Sequence, residues 1–235
     1  MMSDKQAQLT LHLSPQELYR LDNFLFAQAE TEQAVRNFCF LQDPCFLYLY
    51  GAHGTGKTHV LIACAEAVQQ AGHRAIYVSL RELMQSSEPA ILEALEHTDL
   101  LCIDDIDEVV GHTAWEEALF HCFNRLQAMN GHLLLAAQAN ARSININLPD
   151  LRSRLATGLA YALPDMQDEQ KQRAMMLQSK ARGLTMNQAA ADYLLRRYER
   201  DMPTLINVLH QLDKASLQAK RRLTIPFIKQ VLGHD

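Results

Sequence analysis

The string Gly51-Ala52-His53-Gly54-Thr55-Gly56-Lys57-Thr58 is a full G-x-x-x-x-G-K-[ST] phosphate loop. Such a loop functions in one local setting, with a strand ending where it begins and a helix starting at its lysine. Both flanks comply. Cys45-Phe46-Leu47-Tyr48-Leu49-Tyr50 is an apolar, aromatic, strand-forming run, and the string from His59 to Val68 is helix-forming. The glycines let backbone N–H groups turn inward around a β-phosphate, and the positive end of the helix adds favourable charge. Lys57 then reaches the β- and γ-phosphates, while the Thr58 hydroxyl is placed to ligate Mg²⁺. Gly51, Gly54, Thr55, Gly56, Lys57, Thr58 and His59 are the expected nucleotide-binding residues.

A length of 235 residues suits one large domain, or a domain with a smaller companion. Strand-like and helical patterns alternate from Pro15 to about Pro164, which implies a parallel α/β sheet. Five strands are expected: Phe46–Tyr50, Ala75–Ser79, Asp99–Ile103, His132–Ala137 and a short Leu159–Leu163. Helices are expected over Lys57–Ala71, Pro89–His97 and Thr113–Met129. Beyond Pro164-Asp165 the texture changes to amphipathic helices over Asp168–Arg182, Asn187–Arg200 and Pro203–Lys220, with a short fourth at Ile225–Leu232. The expected organisation is a flexible tail over 1–14, an α/β nucleotide-binding base over 15–164, and a small all-helical lid over 165–235.

Composition narrows the class. Hydrophobic residues make up 48%, with no run long enough to span a membrane, and the N-terminus lacks a secretory signal pattern. Cys39, Cys45, Cys64, Cys102 and Cys122 have no C-x-x-C spacing and read as free thiols in a reducing cytoplasm. The ten histidines show no ligand spacing, so no metal is expected beyond nucleotide-bound Mg²⁺. A net charge of −5 argues against a protein whose main task is gripping DNA.

Leu100-Leu101-Cys102-Ile103-Asp104-Asp105 is an apolar run ending in paired carboxylates. A central strand of this kind presents its acids at the carboxyl edge of the sheet, beside the phosphate loop. Asp104 would then orient Mg²⁺, and Asp105 would polarise an attacking water. A second feature is the pair Arg152 and Arg154 in Leu148-Pro149-Asp150-Leu151-Arg152-Ser153-Arg154-Leu155. Composition alone reads these as solvated loop arginines.

With these residues in hand, the chain resembles the DnaA/Hda branch of the AAA+ family. The resemblance runs through essentially everything after Leu21. Its markers are Asp22-Asn23-Phe24, the phosphate loop with its strand, Ile103-Asp104-Asp105-Ile106 and Phe120-His121-Cys122-Phe123-Asn124. Leu151-Arg152-Ser153-Arg154, Leu212-Asp213-Lys214-Ala215-Ser216 and Leu223-Thr224-Ile225-Pro226-Phe227 complete the set. Within the branch the chain is closer to the short regulatory members than to the initiator. It stops near Leu232, where the initiator continues into its origin-binding domain, and it begins with only a short tail.

The resemblance implies an AAA+ base of five parallel strands with a helical lid, holding ADP or ATP with Mg²⁺. It implies a cytoplasmic negative regulator of replication initiation, acting in the regulatory inactivation of DnaA with little ATPase activity of its own. Gln8-Leu9-Thr10-Leu11-His12-Leu13 looks like the branch's docking peptide for the DNA polymerase III sliding clamp. Gln8, Leu9, Leu11 and Leu13 would be its contacts, with spaced leucines entering an apolar groove. Contact with DNA and with the nucleoid would then come mainly through the clamp. Arg154 falls on the family's arginine finger, which projects toward a neighbour's γ-phosphate. Self-association into a homo-oligomer is also compatible with the family.

Two positions depart from the initiator's pattern. Its second-sensor arginine aligns on Pro203, with Arg200 three residues earlier, and its first sensor aligns on either Gln138 or Asn140. An alternative reading is an ATP-driven loader similar to the helicase loader DnaC, which would share the loop, the acids and the finger. A small-molecule P-loop kinase is a third, against which the helical lid argues.

Overall fold

Alternation along the first strand sets the layers. In β1 (Phe46–Tyr50), Leu47 and Leu49 face one side of the sheet, while Phe46 and Tyr48 face the other. Both sides are buried, as parallel sheets require. The computed structural model describes residues 19–42, 45–95, 97–219 and 223–233. Its sheet has the order β2-β3-β4-β1-β5, all parallel, with β2 over Ala75–Ser79, β3 over Leu100–Asp104, β4 over His132–Ala137 and β5 over Leu159–Ala162.

On one face, α1 (Ala29–Phe38) and α2 (Lys57–Gln70) bury Val35, Phe38, Val60, Leu61 and Val68 against Leu47, Leu49 and Leu134. On the other, α4 (Thr113–Ala128) and α5 (Pro149–Thr157) pack Leu119, Phe123, Leu151 and Leu155 against Tyr48 and Leu135. The short α3 (Leu80–Ser86) follows β2 directly, and the Ser79 hydroxyl caps it by accepting from Glu82 N at 3.4 Å.

Among the described residues the elements after β5 are all helices: α6 (Asp168–Ala181), α7 (Gln188–Arg197), α8 (Met202–Ala219) and α9 (Ile225–Leu232). They share a separate core of Met175, Leu194, Leu205, Leu209 and Ile228. Among the described residues no helix is long and apolar enough to cross a membrane.

The five expected strands are present, with β3 shifted one residue later than expected and β5 ending one residue earlier, at Ala162. Pairing of Ser79 with Asp104 draws that acid into the strand. The expected helix over Pro89–His97 is instead a 3₁₀ segment, Pro89–Leu95. Arg152 and Arg154, expected in a loop, sit on α5, which starts at Pro149 with a proline in its first turn. Asn187 caps α7, its side-chain oxygen accepting from Ala190 N at 2.9 Å, and the helix ends at Arg197, short of the expected Arg200.

One buried acid joins two of these elements. Glu116, fully buried on α4, accepts from Gly111 N at 3.0 Å, Asn147 N at 3.1 Å and Leu148 N at 2.7 Å. It thereby ties the start of α5 to α4. Glu116→Ala removes the buried carboxylate that three backbone N–H groups share and is expected to cost about 3 kcal/mol of stability, read from the urea midpoint at unchanged m.

Candidate nucleotide-binding site

The loop after β1 turns through two left-handed glycines, Gly54 at φ 81° and Gly56 at φ 92°. A side chain at either position would be strained. Three separate segments also press on this loop. A Cβ on Gly56 would come within 2.4 Å of Phe24, on Gly51 within 2.3 Å of the Leu163 carbonyl, and on Gly54 within 2.8 Å of Pro203. The loop is thus held by the segment before α1, the segment after β5 and the lid.

Lys57 opens α2 and is buried, its ammonium donating to the carbonyls of Gly51 at 2.7 Å and Ala52 at 2.9 Å. Burial lowers its pKa, and Asp104 opposes the shift. The Thr58 hydroxyl donates to Asp104 Oδ2 at 2.6 Å. Asp104 is 1% exposed, and its other oxygen accepts from Asp105 N at 2.9 Å. Tyr77 also reaches Asp104 Oδ2 at 3.4 Å. Burial raises the Asp104 pKa, with the Thr58 bond working against it. A hydroxyl and a fixed carboxylate side by side are the hard oxygen donors that suit Mg²⁺ on a nucleotide.

Asp105 is differently engaged. Its backbone is left-handed, at φ 59°. Ser79 Oγ donates to Oδ2 at 2.9 Å, and Arg81 Nη2 lies 3.2 Å from Oδ1. Arg81 also bonds Glu108 at 2.9 Å. Both oxygens of the acid assigned to polarise water therefore already accept from the chain itself. Arg81 has no signal in the sequence, because only the parallel pairing of β2 and β3 brings it here.

A cavity of about 610 Å³ runs from these residues to the lid. On its base side His59, Tyr19 and Phe24 form an aromatic cluster, with His59 ring contacts of 5.2 Å and 5.1 Å. The His59 ring donates from Nε2 to the Arg20 carbonyl at 3.0 Å. Burial holds its pKa down to about 4, so the ring is neutral at physiological pH. The lid supplies Gln178, Arg182, His210 and Lys214 to the wall. Gln178 Nε2 donates to the Asn23 carbonyl at 2.6 Å, and Arg182 Nη1 donates to Gln178 O and Oε1, both at 2.7 Å.

The two first-sensor candidates sit differently. Gln138 lines the cavity, whereas the Asn140 side chain accepts from Arg142 N at 3.0 Å within its own turn. Asp107, unforeseen, holds the Gln138 backbone by accepting from its N–H at 2.6 Å. Pro203 lies against the loop, and Arg200 pairs with Asp168 at 2.8 Å, outside the cavity wall. Arg182 and Lys214 are the lid cations in the wall, and neither was foreseen.

Arg154 is elsewhere. Its Nη1 donates to Gln127 Oε1 at 3.2 Å, and its guanidinium lies 6.0 Å from the centre of the Phe123 ring. With Phe46 it lines a second cavity, at the amino ends of the strands. The phosphate loop is at their carboxyl ends. A five-residue strand puts about 16 Å between the two edges. The tail residues Gln8, Leu9, Leu11 and Leu13 lie outside the described residues.

Comparison with known proteins agrees with this geometry. Residues 22–162 match the bacterial DnaA ATPase domain family. The chain belongs to the DnaA family of AAA+ proteins. Residues 168–232 of this DnaA-family chain match the family described as Hda, lid domain. An uncharacterised protein of Haemophilus influenzae is 42% identical over 199 residues, which is 84% of this chain and 85% of that one. Domain III of the Thermotoga maritima replication initiation protein DnaA superposes with a TM-score of 0.73 at 18% identity, covering 94% of this chain and 97% of that one. AMPPCP-bound DnaA from Aquifex aeolicus gives 0.66 at 22% identity, covering 88% and 66%. At these identities the structures speak for the fold. The fold is a DnaA-type AAA+ module, built to bind nucleotide, with a helical lid.

Proposed function

We propose that this DnaA-family chain is a negative regulator of replication initiation, which promotes hydrolysis of ATP bound to DnaA. In this reading the chain comprises a base over 15–164, a lid over 165–235 and a docking tail over 1–14. ADP or ATP with Mg²⁺ occupies the cavity between base and lid and holds the two together. Gly51, Gly54, Thr55 and Gly56 shape the cradle, Lys57 faces the phosphates, and Thr58 with Asp104 serves the metal. His59 packs at the base end. The metal, when bound, neutralises phosphate charge; orientation and exclusion of water fall to the chain itself.

The observation that carries the reading is the separation of two half-sites on one sheet. The phosphate loop lies at one edge and Arg154 at the other, beside Phe46. An arginine so placed serves a nucleotide held by another chain. Supplied in trans, it neutralises charge that develops on the transferring phosphoryl group, an effect worth roughly 10³–10⁵ in rate in other NTPases. The chain's own hydrolysis is expected to be weak, because Asp105 is tied to Ser79 and Arg81 and a proline stands at the second-sensor position.

The test is turnover of DnaA-bound ATP with this chain, with and without sliding clamp loaded on DNA. Stimulation that needs the clamp supports the reading. A chain that instead turns over its own ATP, indifferent to DnaA, is a loader similar to DnaC. The tail gives a further prediction: replacing Gln8, Leu11 and Leu13 with alanine abolishes co-elution with the clamp and leaves ADP affinity unchanged. A docking peptide concentrates the regulator where it acts without altering its chemistry. Co-elution of the triple variant would place the docking site elsewhere.

A further inference from the structure

Three cysteines converge on the face of the sheet that α1 and α2 cover. Cys39 closes α1, Cys64 lies midway along α2, and Cys102 is the central residue of β3. Cys64 and Cys102 belong to the apolar core there, and Cys39 packs against it. The side chains of Cys39 and Cys64 are hydrogen-bonded to one another. Cys64 and Cys102 are fully buried, whereas Cys39 is half-buried and precedes the exposed Phe40. Of the three thiols, Cys39 is the one a small solute reaches from solvent. Cys122 lies on the opposite face of the sheet, and Cys45 lines the second cavity.

The thiolate is the reactive form of cysteine. The Cys64 S–H, donating to Cys39, holds the Cys39 thiol below its ordinary range; burial opposes this, and the Arg36 guanidinium one turn earlier in α1 assists it. The carbonyl end of α1 disfavours a thiolate, so the neighbouring thiol is the deciding partner. The same bond, together with burial, pushes the Cys64 thiol up, and burial does so for Cys102. An accessible sulfur that favours the thiolate thus touches a buried sulfur that keeps its proton. That is the division of labour between a peroxide-sensing cysteine and its resolving partner.

We propose that Cys39 and Cys64 form an oxidation site for hydrogen peroxide, closing to a disulfide that ties α1 to the phosphate-loop helix α2. The Cys39 thiolate attacks one peroxide oxygen and the O–O bond breaks. Cys39 becomes a sulfenic acid, and the departing hydroxide takes a proton from solvent to leave as water. The Cys64 sulfur, losing its proton, then attacks the Cys39 sulfur. The S–O bond breaks, and the hydroxide released leaves with that proton as a second water. Two thiols have given two electrons to one peroxide, and a dithiol reductant reverses the bridge by exchange. The tie joins two supports of the nucleotide cavity. Arg36 of α1 donates to Asp22 at 3.1 Å and to the Leu21 carbonyl at 3.2 Å, bracing the segment whose Asn23 and Phe24 line that cavity, while α2 opens with Lys57 and Thr58.

The test treats the full wild-type chain with hydrogen peroxide and maps its peptides by mass spectrometry without reduction. A Cys39–Cys64 bridged peptide is expected, lighter by two hydrogens than the separate pair and lost again on adding dithiothreitol. Cys64→Ser and, separately, Cys64→Ala should stop at the sulfenic acid, trapped on Cys39 by dimedone. Cys39→Ser should slow loss of the Cys64 thiol at least about tenfold. Unchanged ADP affinity before treatment identifies the variants that are folded, and the wild-type map needs no variant. A bridge from Cys39 to Cys102, or sulfenic acid trapped first on Cys64, overturns the assignment of roles. Thiols at Cys39 and Cys64 that survive peroxide sufficient to oxidise a free cysteine peptide in the same tube overturn the site itself.

Discussion

Arg154→Ala is expected to lower the stimulated turnover of DnaA-bound ATP by at least about a hundredfold, while ADP binding and clamp binding stay at wild-type levels. The loss is selective because of where the side chain sits. Its partners, Gln127 and Phe123, are on α4, and no residue of the chain's own phosphate loop shares its cavity. Lysine should rescue poorly, since a point charge cannot replace a planar fork that meets two oxygens at once. Arg152→Ala, exposed on the same helix, is the milder control. The measurement is single-turnover hydrolysis at saturating clamp-loaded DNA. Near-wild-type stimulation would make Arg154 an ordinary surface residue.

Lys57→Ala is expected to raise the dissociation constant for ADP by roughly a hundredfold, from the loss of charge-assisted contacts to the phosphates. Its ammonium donates to the loop carbonyls of Gly51 and Ala52, so alanine removes the cation together with two bonds that brace the loop. Titration calorimetry reads the change directly. Unchanged ADP affinity would detach the loop from nucleotide binding altogether. If ADP holds lid and base together, the same variant should also lose the ligand-dependent rise in Tm.

What the sequence made legible follows the strength of local signals. Strands of Leu- and Tyr-rich character, a glycine loop with fixed spacing and long amphipathic helices declare themselves within ten or fifteen residues. Elements stabilised from outside did not. The polar helix α1 buries only Thr31, Val35 and Phe38, and α3 is seven residues long and leans on its Ser79 cap. The helix α5 depends on Glu116, more than thirty residues upstream, to anchor its first turn. The site divides the same way. Residues of the loop and of the acidic strand end were found because motif and chemistry coincide there. Arg81, Asp107, Gln178 and Arg182 enter the site through strand order and lid placement, which no short window of sequence carries.

The contact between Pro203 and Gly54 bears on how long a nucleotide stays. A proline ring has no charge with which to sense a phosphate, but it is rigid, and here it packs against the left-handed Gly54 turn of the loop. Gln178 fastens the same lid to Asn23 of the base. A bound nucleotide therefore lies under a cover latched at two points, neither of which depends on the number of its phosphates. If the proposed nucleotide sits there, its departure waits for the cover to lift, and the dwell times of di- and triphosphate are expected to converge. On the proposed reading the chain would keep its shape through the cell's changing energy charge and leave the timing of hydrolysis to its partner.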